Sequence, residues 1–159
     1  MNTISVIIAN PDDSHRARCR ALLEGESAIE ILAETTTVKQ TLDAVKATPA
    51  HVLLLHHATA GPDFPVVIRS VLDGSPLTEV LALAEGADDP RILDLLSAGA
   101  RGYLLDADLD RLLVKAVRKV HEGEAWVPRK MVTQILRRLA WLSRAERSPG
   151  LDTPSSRYA

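Results

Sequence analysis

The sequence predicts an α/β domain with a doubly wound, five-stranded parallel sheet. Three observations carry this. Five short apolar segments recur along the chain, at Ile4 to Ala9, Ile29 to Ala33, Val52 to Leu55, Val80 to Leu83 and Tyr103 to Leu105. Stretches with helical periodicity separate them, and the connections are short. That rhythm fits parallel strands covered on both faces, and right-handed crossovers then place helices on the two sides of the sheet. In such folds the working groups sit at the carboxyl ends of the strands.

The elements follow in order. The first strand lies close to the N-terminus, and no basic region precedes it, so it does not have the form of a signal peptide. Asp13-Ser14 opens a helix that runs to Glu24 and stops at Gly25. After the second strand, Thr35 to Lys46 reads as a helix with Val38, Leu42 and Val45 facing inward. The third strand ends in His56-His57. Phe64, Val67, Ile68, Val71 and Leu72 then form one apolar stripe. The fourth strand leads to Asp88-Asp89-Pro90, carboxylates and an early proline that start a helix ended by Gly99. After the fifth strand, Asp108 is expected to cap a helix with Leu109, Leu112, Leu113, Ala116, Val117 and Val120 on one face. A boundary is expected at Gly123 to Pro128, giving a domain over 1–127, a linker or dimerisation helix over 128–147 and a flexible Ser/Pro-containing tail over 148–159. The 128–147 helix starts with proline at or near its first position and carries a narrow seam of Val132, Ile135, Leu136, Leu139 and Leu142, with Trp141 beside it.

Composition narrows the function. At 159 residues and 46% apolar content the chain can bury a core, and with 3% aromatics that core is aliphatic. No stretch is apolar for long enough to span a membrane. The single cysteine, Cys19, rules out an internal disulfide and suits the cytoplasm; on a helix-patterned stretch it reads as a small buried side chain. Net charge is −2, but residues 128–159 hold seven Lys/Arg and two Asp/Glu, a local +5 that leaves −7 on the first 127. An acidic body with a basic tail is compatible with an anionic partner near the C-terminus, or with a solvated helix face.

Four segments carry a resemblance: Arg20-Ala21-Leu22-Leu23-Glu24, Val52-Leu53-Leu54-Leu55, Ala98-Gly99-Ala100-Arg101-Gly102-Tyr103-Leu104-Leu105 and Gly123-Glu124-Ala125-Trp126-Val127. Together they resemble the receiver domain of NarL/LuxR-type bacterial response regulators, from Ile4 to about Leu139. The resemblance implies the flavodoxin-like strand order 2-1-3-4-5. It also implies a phosphorylation pocket. An aspartate at the third strand's tip accepts the phosphoryl group, and two acidic residues after the first strand hold Mg²⁺. A hydroxyl after the fourth strand and a lysine after the fifth contact the phosphoryl oxygens.

This chain departs at each of those places. His56 stands at the acceptor position, Asn10 and Pro11 at the acidic pair, Ala84 at the hydroxyl and Asp106 at the lysine. Asp106 reverses the charge there, so a phosphoryl group would meet repulsion. Tyr103 keeps the position of the family's switch aromatic. Phosphorylation of a His56 nitrogen would find no cation site or lysine to support it. His56 and His57 are strand neighbours that point to opposite faces, so they do not form a metal pair unless the strand has already ended. No metal and no cofactor are expected. There is no glycine-rich phosphate loop after the first strand and no Gly-x-Ser-x-Gly, which disfavours a flavodoxin-like enzyme. Asp106-Ala107-Asp108-Leu109-Asp110 lacks the glycine and glutamate of a calcium loop and reads as a capping cluster.

The expectation is therefore a phosphorylation-independent receiver, or pseudoreceiver, that acts through association. A homodimer is expected, with a regulatory protein or a small ligand as further partners. Two surfaces compete for the association. One is the helix bearing Leu109, Leu112, Leu113 and Ala116 together with Tyr103; the other is the Val132 to Leu142 seam with Trp141. A ligand would occupy the pocket near Asn10, His56, Ala84 and Asp106. By resemblance, DNA is reached only through a helix-turn-helix module after the linker, so the chain is expected to be the receiver piece of a longer regulator. The alternative is a stand-alone adaptor that binds a kinase or another regulator without DNA.

Overall fold

A computed structural model describes residues 3–86 and 88–147 of the chain. The chain divides into two units between Val127 and Pro128. In the first, β1 (Ile4–Ala9), β2 (Ile29–Thr35), β3 (Val52–His56), β4 (Glu79–Ala84) and β5 (Gly102–Leu105) form one parallel sheet in the order β2-β1-β3-β4-β5. This is the doubly wound order expected. Register puts the tips together: Ala9 pairs with Leu55, His56 with Leu83, and Ala84 with Leu105.

The helices start where short polar side chains satisfy free backbone N–H groups. Helix α1 (Asp13–Glu24) is capped by Asp12, which accepts from the His15 N–H at 3.1 Å. Helix α2 (Val38–Ala47) is capped by Thr37. Its expected start at Thr35 is three residues early: Thr35 completes β2 opposite Ala9, and its hydroxyl lies 2.7 Å from that of Thr41. A one-turn helix, α3 (His57–Ala60), leads through Gly61–Asp63 into α4 (Phe64–Gly74). Helix α5 (Asp89–Ser97) takes its cap from Asp88, so the proline expected at its first position is its second residue. Gly99 follows at φ +116°, where a side chain is strained and a Cβ would strike Leu72. Helix α6 (Leu109–His121) corrects the sequence reading, because the Asp108 carboxylate makes no cap bond and binds Arg111 at 2.7 Å.

One face of the sheet is filled by Val6, Ile8, Val52, Leu54, Leu81, Leu83 and Leu104, packed with Cys19 and Leu23 of α1 and with α6. Alternate strand residues Ile7, Leu53, Leu55 and Ala82 are also fully buried and point to the opposite face, toward the apolar sides of α2, α4 and α5. Leu109, Leu113 and Ala116, read from sequence as a partner surface, lie in this core at 0%, 1% and 0% exposure. Their stripe is needed to close the sheet face, so Leu112, half-buried at its margin, is the apolar residue of those four that reaches the surface.

In the second unit a single 3-10 turn, Arg129–Met131, precedes α7 (Val132–Arg147), so the helix starts four residues after the expected Pro128. Val132, Leu136, Leu139, Trp141 and Leu142 are exposed, and Ile135 is half-buried. The tail expected at 148–159 lies outside the described residues. Among the described residues no helix is long and apolar enough to cross a membrane.

Candidate functional site: a carboxylate held by two imidazoles

The strand tips bring Asn10, His56, Ala84 and Asp106 to one end of the sheet. Asn10 is buried. Its Oδ1 accepts from the Asp12 N–H at 2.9 Å, and its carbonyl accepts from Arg16 Nη1 at 2.7 Å. Pro11, next in the chain, is exposed. Asn10 Nδ2 is buried with no hydrogen-bond partner among the described residues.

Asp106 sits at the centre. His56 Nε2 lies 2.9 Å from Asp106 Oδ2 and 3.2 Å from Oδ1. The other ring nitrogen, His56 Nδ1, accepts the Ala58 N–H at 2.9 Å, which caps α3. That bond fixes the tautomer: Nδ1 presents a lone pair, so the proton rides on Nε2 and is donated to Asp106. His15 reaches the same carboxylate from α1, with Nε2 2.9 Å from Asp106 Oδ1. The His15 and His56 rings meet edge to face, with centroids 4.6 Å apart. Behind His15, Cys19 Sγ is 3.7 Å from Nδ1. Burial, seconded by the charge of Asp106, pushes the Cys19 thiol up to about 12, so it stays protonated and is a donor rather than a nucleophile. Burial pulls Asp106 upward, yet the hydrogen bonds from His56 and His15 outweigh it and the carboxyl sits below its ordinary value.

The expected repulsive aspartate is thus an anion solvated by two imidazole N–H groups. Sequence reasoning missed His15, whose only signal is its spacing of four from Cys19 on α1. The ligand atoms of His15, His56 and Asp106 lie within 4.8 Å of one another, the kind of set that can hold a metal ion. The tautomer does not fit that role. A ligating imidazole normally donates from its far nitrogen to an acceptor. His56 instead faces the Ala58 N–H donor there, so a metal at Nε2 would set two donors against each other.

His57 turns away from this cluster. Strand β3 ends at His56, and the His57 ring packs beside Phe64, centroids 5.8 Å apart. It lines a separate cavity of about 140 Å³ with Pro62, Phe64, Arg91, Leu95, Tyr103 and others. Of the four residues expected around a ligand, Ala84 alone lines this cavity. His56 and Asp106 are instead bonded to each other, 2.9 Å apart.

No family model matches the chain. In sequence it is 25% identical over 134 residues to the oxygen regulatory protein NreC of Staphylococcus epidermidis, covering 84% of this chain and 62% of that protein. In structure it matches the signal receiver domain of the response regulator NarL from Mycobacterium tuberculosis, with a TM-score of 0.73, 22% identity, and coverage of 78% of this chain and all of that one. It also matches RcsB in a structure of two RcsB dimers bound to two parallel DNAs, with a TM-score of 0.74, 18% identity, and coverage of 84% and 68%.

The chain has the fold of these receiver domains and is similar in sequence to the oxygen regulatory protein NreC.

It spans about three fifths of the length of the curated relatives it matches. At the strand tips, the place that the resemblance gives to the acceptor carboxylate holds an imidazole whose two nitrogens are both engaged. Tyr103, which the resemblance puts at the switch position, is turned inward at 3% exposure, and its hydroxyl is buried without a partner among the described residues.

Proposed function

We propose that this receiver works without aspartyl phosphorylation and transmits signals by association. One observation carries the reading: His56, which the resemblance puts at the acceptor place, is locked between Asp106 and the Ala58 N–H. The residue at that tip offers an imidazole in place of a carboxylate. The nearest carboxylate, Asp106, is committed to two imidazoles and would repel an incoming phosphoryl anion. Asn10 and Pro11 supply no acidic pair for a hard cation. The domain is a cytoplasmic signalling module rather than a catalyst.

Incubation with acetyl phosphate and Mg²⁺ tests this directly. Intact-protein mass spectrometry is expected to show an unchanged mass. A stoichiometric gain of one phosphoryl group would end the reading.

The output we propose is a homodimer formed through α7, whose Val132, Leu136, Leu139 and Leu142 recur at spacings of four, three and three and are exposed. The RcsB dimers on DNA support this, and a DNA-binding module outside these residues would be the effector. Leu136→Glu is expected to convert a dimer to a monomer in sedimentation without altering the fold of the first unit. A wild-type chain that is monomeric at high micromolar concentration would remove the dimer. A regulator that acts as an adaptor, without DNA, is the other reading. The exposed seam serves it equally, and binding of the full-length protein to promoter DNA separates the two.

A further inference from the structure

We infer that the cavity beside Tyr103 is a binding site for a small aromatic carboxylate of about one ring. The cavity measures about 140 Å³. An engineered apolar cavity of about 150 Å³ takes up benzene, so one ring is the right size. Phe64, Pro62 and Leu95 give it apolar walls. Two of the residues that line it, Tyr103 and His57, each carry a buried polar atom, Tyr103 Oη and His57 Nε2, with no hydrogen-bond partner among the described residues. Buried polar groups are nearly always paired with protein, water or a ligand, and the partner assigned here to Tyr103 is a ligand in this cavity. Ala84, also in the lining, adds a methyl group and no polar atom of its side chain.

The donors set the ligand's chemistry. Burial raises Tyr103, which keeps its O–H as a donor. Burial lowers His57, and the Arg91 guanidinium adds to it, so its ring is held neutral. Arg91 brings a guanidinium to the same cavity. A carboxylate accepts from the Tyr103 O–H and from Arg91, and charge-assisted bonds of this kind are the strong ones. Asp94 lines the cavity too, one turn further along α5. It opposes an anion, so the assignment places the carboxylate on the Arg91 and Tyr103 side. A cation drawn to Asp94 is the competing outcome. The site is separate from the His15–Asp106–His56 cluster, and the inference does not rest on the absence of phosphorylation.

The probes are benzoate, benzyl alcohol and benzylamine, titrated into the 159-residue chain and followed by two-dimensional NMR. Benzoate is expected to give saturable shifts at Tyr103, Leu95 and their neighbours, with a dissociation constant in the millimolar range or below, as fits so small a ligand. Benzyl alcohol, which lacks the charge, is expected to bind about tenfold more weakly, and benzylamine more weakly still. Tyr103→Phe is expected to weaken benzoate by about tenfold, with an unchanged circular dichroism spectrum. Ala84→Leu is expected to fill the cavity and abolish binding; if that variant does not fold, Tyr103→Phe decides the matter alone. Three results would each overturn the site: no saturable shift with benzoate at tens of millimolar, tighter binding of benzylamine than of benzoate, or equal benzoate affinity in Tyr103→Phe. A phosphoryl gain in the mass experiment would remove the proposed function and leave this prediction standing. Failure of benzoate would do the reverse.

Discussion

Asp106→Ala is expected to destabilise the domain by about 2 kcal/mol at neutral pH, the scale for stranding partly buried donors. His56 Nε2 and His15 Nε2 both lose their acceptor at once. Asp106→Asn is expected to recover only part of the loss. The amide oxygen can accept from one imidazole, but its NH₂ then faces the other ring's N–H. The effect has a defined pH dependence. The two hydrogen bonds leave the Asp106 carboxyl lower in the folded protein than in the unfolded chain, against the pull of burial. The ionised form is therefore the one the fold favours. Its contribution is fully present above the ordinary aspartate value, about 3.9, and is lost as pH falls through the lower folded value. The difference between wild type and Asp106→Ala should shrink in that acid window. Urea unfolding at pH 7 and again at about pH 3 measures both terms. Equal midpoints for wild type and variant at pH 7 would show that the two imidazoles do not need the carboxylate.

Leu113→Ala is expected to cost more, about 2–5 kcal/mol, which is the range for deleting a buried leucine side chain where the cavity only partly collapses. Leu113 is 1% exposed, inside the cluster that joins α6 to β3, β4 and β5. A domain of this size has a total stability of only about 5–15 kcal/mol, so the variant should unfold at much lower denaturant. The result also decides between two roles for this helix. A core residue lowers the midpoint by the same amount at every protein concentration. A dimer residue would make the loss concentration-dependent, because association stabilises the folded state by mass action. The same substitution at half-buried Leu112 is expected to cost about 1 kcal/mol, the middle of the range for ordinary point changes.

Much of the site was legible in the sequence because the strands announce their ends. Once Ile4 to Ala9, Val52 to Leu55, Val80 to Leu83 and Tyr103 to Leu105 are parallel strands, Asn10, Ala84 and Asp106 must follow their tips and His56 must sit at one. Two things were not legible. Whether the third strand ends before or after His56 depends on a hydrogen bond from the Ala58 N–H, which makes that side chain a cap. And His15 looks like any polar residue in the first turn of a helix. Only the packing of α1 against α6, across 91 positions of sequence, turns it toward Asp106.

By itself the sequence determined the parallel sheet and the helices that cover it. Period and residue type decide those, and both are local properties; the assignment of Asn10, Pro11, His56, Ala84 and Asp106 to a phosphorylation pocket is what the resemblance implies. The tertiary structure alone decided that two imidazoles hold the Asp106 carboxylate, that Leu109, Leu113 and Ala116 face the core, and that a cavity lies beside Tyr103. The physical reason is the same in each case. Hydrogen bonds and close packing join residues far apart in the chain, and which of two faces a side chain takes is settled by what the opposite element brings to meet it.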